Sequence, residues 1–181
     1  MKKIAGILLT CLLGASGLHA QQDTLRPIPF GDFDQWLVRR IKESSVIGGR
    51  ESLVYMIAPV DTLVGPQPYV NRSASPWSSS NVMAKVAGIV KTSVTVFPEK
   101  RGKGYCVRMD TKLEKVKVLG VVNISVLASG SIFLGKTLEP IRGASDPYKN
   151  LDMGIPFTGT PEALVFDYKA KIWQDTMVTR A

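Results

Sequence analysis

The chain has 181 residues, enough for one domain with a proper core and too few to make two comfortable. It is 45% hydrophobic and 21% charged, an ordinary globular balance, and its formal net charge is +8. The positive charges are scattered, with no long basic block and no nucleic-acid motif, so they read as solvated surface and not as a nucleic-acid footprint.

Residues 1–20 read as an export signal. Lys2 and Lys3 precede an apolar run from Ile4 to Leu13, and small residues lead to Leu18-His19-Ala20. The run is too short to span a membrane, and no other stretch approaches the roughly 20 apolar residues a span needs. Leu8-Leu9-Thr10-Cys11 loosely resembles a lipoprotein box with Cys11 as the lipidated residue, but Thr before the Cys fits that box poorly. Cleavage after Ala20 removes Lys2, Lys3, Cys11 and His19, leaving a net charge of about +6, no histidine, and Cys106 as the one cysteine. That excludes a Ser-His-Asp triad, a Cys-His pair, a His-based zinc or copper site and an internal disulfide.

Residues 21–30 form a polar lead-in that Pro27 and Pro29 hold extended, and a single domain is expected over 31–181. At Phe33 to Ile41 helix and strand compete: Phe33, Trp36, Leu37 and Ile41 have helical spacing, while Val38 and Ile41 among arginines suit an edge strand. Ile47-Gly48-Gly49-Arg50 is a turn, and Ser52 to Ala58 is a buried strand stopped by Pro59. Residues 59–81 make a long connection carrying Tyr69 and Trp77, of the length that is usually functional or disordered. Val82 to Val90 is a strand or a short helix, and Thr92 to Phe97 alternates up to Pro98. Glu99 to Gly104 is a turn; Tyr105, Val107 and Met109 form an apolar face opposite Cys106, Arg108 and Asp110; Lys112 to Lys115 is a charged turn. Val116, Val118, Val122, Ile124 and Val126 form the clearest buried face, followed by a short strand at Ile132 to Leu134. A second polar loop, 139–153, includes Tyr148.

The chain closes on turn chemistry at Gly154, Pro156, Gly159 and Pro161 and then strict alternation. Leu164, Phe166, Tyr168, Ala170 and Ile172 fall on one face, and Val165, Asp167, Lys169 and Lys171 on the other, which predicts a half-buried strand over 164–172. Strand candidates at intervals of about 8–15 residues with no long helix point to an all-β antiparallel β-sandwich. There is no internal repeat and no low-complexity segment.

Several stretches together resemble the putative carbohydrate metabolism domain of exported Bacteroidetes proteins. They are Gly31-Asp32-Phe33 with Trp36, Ile41-Lys42-Glu43-Ser44 with Gly48-Gly49, and Pro76-Trp77 with Ser80-Asn81. Pro98 with Arg101-Gly102 and Gly104, Arg108 with Thr111, and Gly130-Ser131-Ile132-Phe133-Leu134-Gly135 continue the match. Gly154-Ile155-Pro156-Phe157-Thr158 with Pro161, Ala163-Leu164 and Asp167-Tyr168-Lys169 complete it. The resemblance implies a jelly-roll sandwich of the carbohydrate-binding-module kind, placed in the periplasm or at the cell surface, with Trp36 to Ile41 as a strand. Family members continue beyond the Asp167-Tyr168-Lys169 segment, so the sandwich is expected to be incomplete at its C-terminus, a truncated product or fragment.

A glycan site needs an aromatic face to stack on sugar C–H groups and polar neighbours for hydroxyls. Trp77 with Asn81 is the leading candidate; Tyr148, near Asp146 and Asn150, is a second; Arg108 and Asp110, two apart on one strand face, are a third. The competing readings make Trp77 a cap on the core edge, Arg108 and Asp110 a structural ion pair, Asn123 a satisfied core amide, and Phe33 and Trp36 core anchors. Asp32, Asp34 and Asp167 lie near strand ends, but no calcium loop surrounds them and no cofactor or metal is assigned. Glu99, Asp110, Glu114 and Asp167 are available for glycoside hydrolysis, yet their settings single out no pair. The expectation is an exported, non-catalytic module binding a poly- or oligosaccharide, with envelope proteins as further partners. A structural or assembly subunit of the envelope and a carboxylate-dependent glycosidase are the alternatives.

Overall fold

In the computed structural model, residues 25–118, 122–142 and 147–171 are described; the segment 1–20 expected to be an export signal, with Cys11, and the last ten residues lie outside them. Strand β1 (Trp36–Lys42) is the centre of a three-stranded sheet, with β2 (Glu51–Ile57) antiparallel on one side and β3 (Asp61–Val64) parallel on the other. Register puts Leu37 opposite Met56, Arg39 opposite Val54 and Ile41 opposite Ser52. Cross-strand partners share a face, so Leu37, Arg39, Ile41, Val54 and Met56 all point inward. Ile41 and Val54 are fully enclosed, a burial of about 1.5–3 kcal/mol each. The strand expected at Trp36 to Ile41 is present, and so is the one at Ser52 to Ala58.

Short antiparallel units cover that inner face. Hairpin β5–β6 (Val82–Val86, Ile89–Ser93) sends Met83 and Val90 against Leu37, Ile41, Val54, Met56 and Ala58. Its tight turn places Ala87 at φ 49° and Gly88 at φ 78°, the paired positive values of a two-residue hairpin loop. Hairpin β7–β8 (Val96–Arg101, Gly104–Met109) and the sheet β4–β11–β12 (Trp77–Ser79, Ile132–Thr137, Leu151–Met153) enclose a second cluster. There Trp36, Ile57 and Val96 meet Phe33, Trp77, Tyr105, Val107 and Ile132. The result is an all-β molecule of several antiparallel sheets; among the described residues there is no α-helix and no helix able to cross a membrane.

Asn81, between β4 and β5, fastens these layers. Its Nδ2 donates to Tyr55 O (2.9 Å) and Val96 O (2.7 Å), and its Oδ1 accepts from Thr95 N and Val96 N (both 2.9 Å). One amide thus satisfies backbone groups of β2 and β7 that would otherwise be buried without partners.

Several expectations are corrected. The connection over 59–81 contains β3 and β4, and β12 lies in the second polar loop. Pro98 sits inside β7, where the ladder of a two-stranded unit leaves one side without backbone partners. Lys112 to Lys115 belong to β9 (Thr111–Val118), which pairs with β10 (Val122–Ser129), and the turn over 99–104 narrows to Gly102-Lys103. Register pairs Val116 with Ile124 and Val118 with Val122, residues whose side chains lie outside what is described. Val126, opposite Glu114, is 47% exposed, where a buried face was expected.

The largest correction concerns 164–172. Residues 154–171 have no regular structure, and every one is exposed; Phe166 is 68% and Tyr168 81% accessible. The alternation is physically present, since the Phe166 and Tyr168 rings lie 6.0 Å apart on one side. Among the described residues no strand pairs with it, and an extended segment without a ladder has no face to bury.

Candidate functional site

Beneath the site lies a buried ion pair. Arg39 points inward from the central strand, and Glu139 follows β11; both side chains are 2% exposed. Glu139 Oε1 accepts from Arg39 Nη1 (2.9 Å) and Met83 N (2.9 Å). Its Oε2 takes Arg39 Nη2 (2.8 Å) and Tyr69 N (3.0 Å). Arg39 Nη2 also donates to Gln67 O at 2.7 Å, and the guanidinium lies 5.4 Å from the Tyr69 ring centroid. Charges taken out of water this completely are tolerated when their remaining donors and acceptors are filled, as they are here. The pair pins segment 67–69 against the core. Burial pushes the Tyr69 phenol pKa up; Arg39 pulls it down and Glu139 pushes it up again, so the hydroxyl is neutral at physiological pH.

Over this pair runs a groove of about 130 Å³, with Met56, Tyr69, Val70, Trp77, Lys136 and Leu138 in its walls. Past Asn71 and Gly135 it adjoins a second groove of about 300 Å³, walled by Ser75, Pro76, Asp152, Ile155 and Pro156. Gly135 is buried between them at φ 140°, where the β12 backbone leaves no room for a Cβ. Its N–H donates to Pro76 O at 2.9 Å. The rim is stiffened by Asn71, whose Oδ1 accepts from the Ser73 N–H (3.0 Å) and hydroxyl (2.7 Å) while Nδ2 donates to Ser75 O (2.9 Å).

Trp77 serves two purposes. Its indole N–H donates to Pro29 O at 2.9 Å and its ring meets Phe33 edge-on at 5.1 Å, so it closes the core edge. It also forms part of the first groove's wall. Asn81, expected beside it as a ligand contact, is 0% exposed with its amide fully engaged, and is corrected to a structural residue. Arg108 and Asp110 are not part of either groove's lining. Arg108 Nε lies 3.2 Å from Asp110 Oδ1 and Nη1 2.9 Å from Glu99 Oε2, with the guanidinium 4.5 Å from the Phe97 centroid. Tyr148 falls in the single-turn 3-10 segment Pro147–Asn150; its side chain, like Asp146 and the side chain of Asn123, lies outside what is described. Trp36 donates its indole N–H to Phe33 O (2.7 Å) and is a core anchor, as Phe33 is. Asp34 Oδ1 accepts from Tyr105 N at 2.7 Å, and among the described residues no three metal-ligating side chains gather.

Arg39, Glu139 and Lys136 were not singled out by sequence. Nothing local marks an arginine among alternating strand residues as inward-facing, and its partner is 100 positions away.

The family model described as "Putative carbohydrate metabolism domain" matches residues 50–174. The chain belongs to this family. Both grooves fall wholly within the matched residues, whereas Arg39, whose partner Glu139 lies under the first groove, precedes them. No curated protein and no solved structure matches the chain.

Proposed function

We propose that this protein is an exported, non-catalytic glycan-binding module of the cell envelope, which holds a poly- or oligosaccharide along the Tyr69–Trp77 groove. The observation that carries this reading is the wall itself: Tyr69, from a loop braced by Glu139, and Trp77, at the start of β4, face one open groove within the region matched by the "Putative carbohydrate metabolism domain" model. Aromatic rings offer the apolar surface that sugar C–H faces stack on, and the small open volume suits a stretch of polymer better than an enclosed small molecule. Hydrolysis is disfavoured because Glu139, the one carboxylate in the first groove's lining, has both oxygens engaged by Arg39 and backbone N–H groups. The export signal over 1–20 supports the envelope setting.

The test is a glycan array with the mature protein, followed by Tyr69→Ala and Trp77→Phe. The second variant keeps a ring against Phe33 while shrinking the stacking surface. Binding that weakens about tenfold or more in either variant, with the urea midpoint of Trp77→Phe close to wild type, supports the reading. Silence across plant, host and microbial glycans overturns it. A structural or assembly role in the envelope is the second reading, favoured by the exposed apolar residues of 154–171.

A further inference from the structure

We infer that the groove selects anionic glycans, sugars carrying a carboxylate or a sulfate, through the ammonium of Lys136. This rests on the glycan-binding reading above and adds the class of ligand.

Charge in the grooves is unevenly committed. The first groove is lined by two charged residues, Glu139 and Lys136. Glu139 is 2% exposed and neutralised by Arg39, so it presents no net charge to a ligand. Lys136 is exposed, and among the described residues no carboxylate oxygen lies within 4.0 Å of its ammonium. It lines both grooves and stands at their junction. Its cross-strand neighbour in β12 is Asp152, which lines only the second groove and makes no ion pair with it. The backbone on either side is fixed, by Gly135 N to Pro76 O (2.9 Å) before it and Leu138 N to Asn150 O (2.7 Å) after it, so the lysine stem springs from a fixed point beside the aromatic wall. A sugar ring stacked at Trp77 or Tyr69 with an anionic substituent directed along the groove would meet that ammonium. An ammonium-to-carboxylate or ammonium-to-sulfate hydrogen bond is charge-assisted and stronger than one to a neutral hydroxyl. Asp152 acts in the opposite sense, as a carboxylate that a ligand anion must approach.

The experiment uses matched polymers that differ only in charge: polygalacturonate against its fully methyl-esterified form, and dextran sulfate against dextran, titrated calorimetrically with the mature protein. The expected result is at least tenfold tighter binding of one or both charged forms. Lys136→Gln should remove that preference, bringing binding of the charged form down to that of its neutral partner. Asp152→Asn should strengthen binding of the charged form a few-fold. Lys103→Gln, in the β7–β8 turn away from the groove, is the control for diffuse attraction by a basic protein. The two polymer pairs distinguish a carboxylate from a sulfate ligand. Equal binding of charged and neutral forms overturns the inference and leaves the glycan reading standing. So does a charge preference that survives Lys136→Gln or falls equally with Lys103→Gln. Silence across both pairs and the neutral glycans of the array removes the underlying reading as well.

Discussion

Strand β1 and the C-terminal arm, 154–171, invert what their patterns promise. β1 breaks the rule of apolar residues inside: Arg39 stands on its inner face between Leu37 and Ile41, and is buried. The arm obeys the alternation rule perfectly over Leu164, Phe166 and Tyr168 and is exposed throughout. What separates them is partners. β1 is flanked by β2 and β3 and covered by the β5–β6 hairpin, and a carboxylate arrives from 100 positions later to neutralise its arginine. Among the described residues no strand pairs with Leu164 to Tyr168, and those side chains stay exposed. Burial is therefore a property of the pairing that a segment finds, and alternation only states which face would be buried if a pairing existed.

The comparison breaks most decisively at Glu139. Replacing it with Gln leaves Arg39 charged, buried and without its counter-ion. Removing one member of such a pair costs about 3–5 kcal/mol, more than the pair itself contributes. Urea unfolding of Glu139→Gln should show that loss. The double variant Arg39→Met with Glu139→Gln should recover part of it, since no buried cation remains. A single variant within 1 kcal/mol of wild type would mean that water reaches the pair in solution.

A second buried carboxylate sharpens the same contrast through pH. Glu43, just past β1, is enclosed, and its Oε1 accepts from Thr92 N (3.0 Å), Thr92 Oγ1 (2.7 Å) and Lys91 Nζ (3.0 Å). Burial pushes its carboxyl up, but the Thr92 and Lys91 donors outweigh that and hold it below the ordinary value of 4.5. The unfolded chain therefore takes up the proton first as pH falls. The stabilisation is fully present above the unfolded value and is lost as pH drops through the lower folded one. Glu43→Gln should cost about 2 kcal/mol at pH 7, the scale of a buried charged hydrogen bond left with a weaker acceptor. The gap to wild type should narrow as urea midpoints are followed from pH 6 towards 3. A gap that stays constant over that range would show that Glu43 is not the titrating group.

These side chains mark where sequence reading stops. β2 was legible as a continuous apolar run, and β10 with the end of β9, like the Tyr105–Val107 face, as apolar residues at every second position. β3 was not, since all four of its residues are exposed and an edge strand in water leaves no period to read. β9 hid its start in the same way, as Lys112 and Lys115 flank Leu113-Glu114 and the first three residues are exposed. The β5–β6 turn uses Ala87-Gly88, without the Asn or Asp that advertises such a loop. At the site, Trp77 was visible as an aromatic in a polar loop, and Asn81 was visible for the wrong reason. A polar residue beside a candidate site looks the same in sequence whether it faces a ligand or fastens two sheets. Arg39 with Glu139 could not be found at all, because their pairing is created by the fold.

The arm supplies the smallest effect and the sharpest opposite to Glu139. Phe166→Ser with Tyr168→Ser removes two large rings that touch each other and little else. Exposed substitutions of this kind stay within about 0.5 kcal/mol, so the urea midpoint should match wild type although two aromatic rings are deleted. Backbone amides of 162–171 should exchange with deuterium at close to unprotected rates, while those of β1 exchange slowly. A loss above about 2 kcal/mol, or protection in the arm equal to that in β1, would mean that the alternation of 164–172 has found a ladder in solution. The sequence pattern would then have been right about the strand.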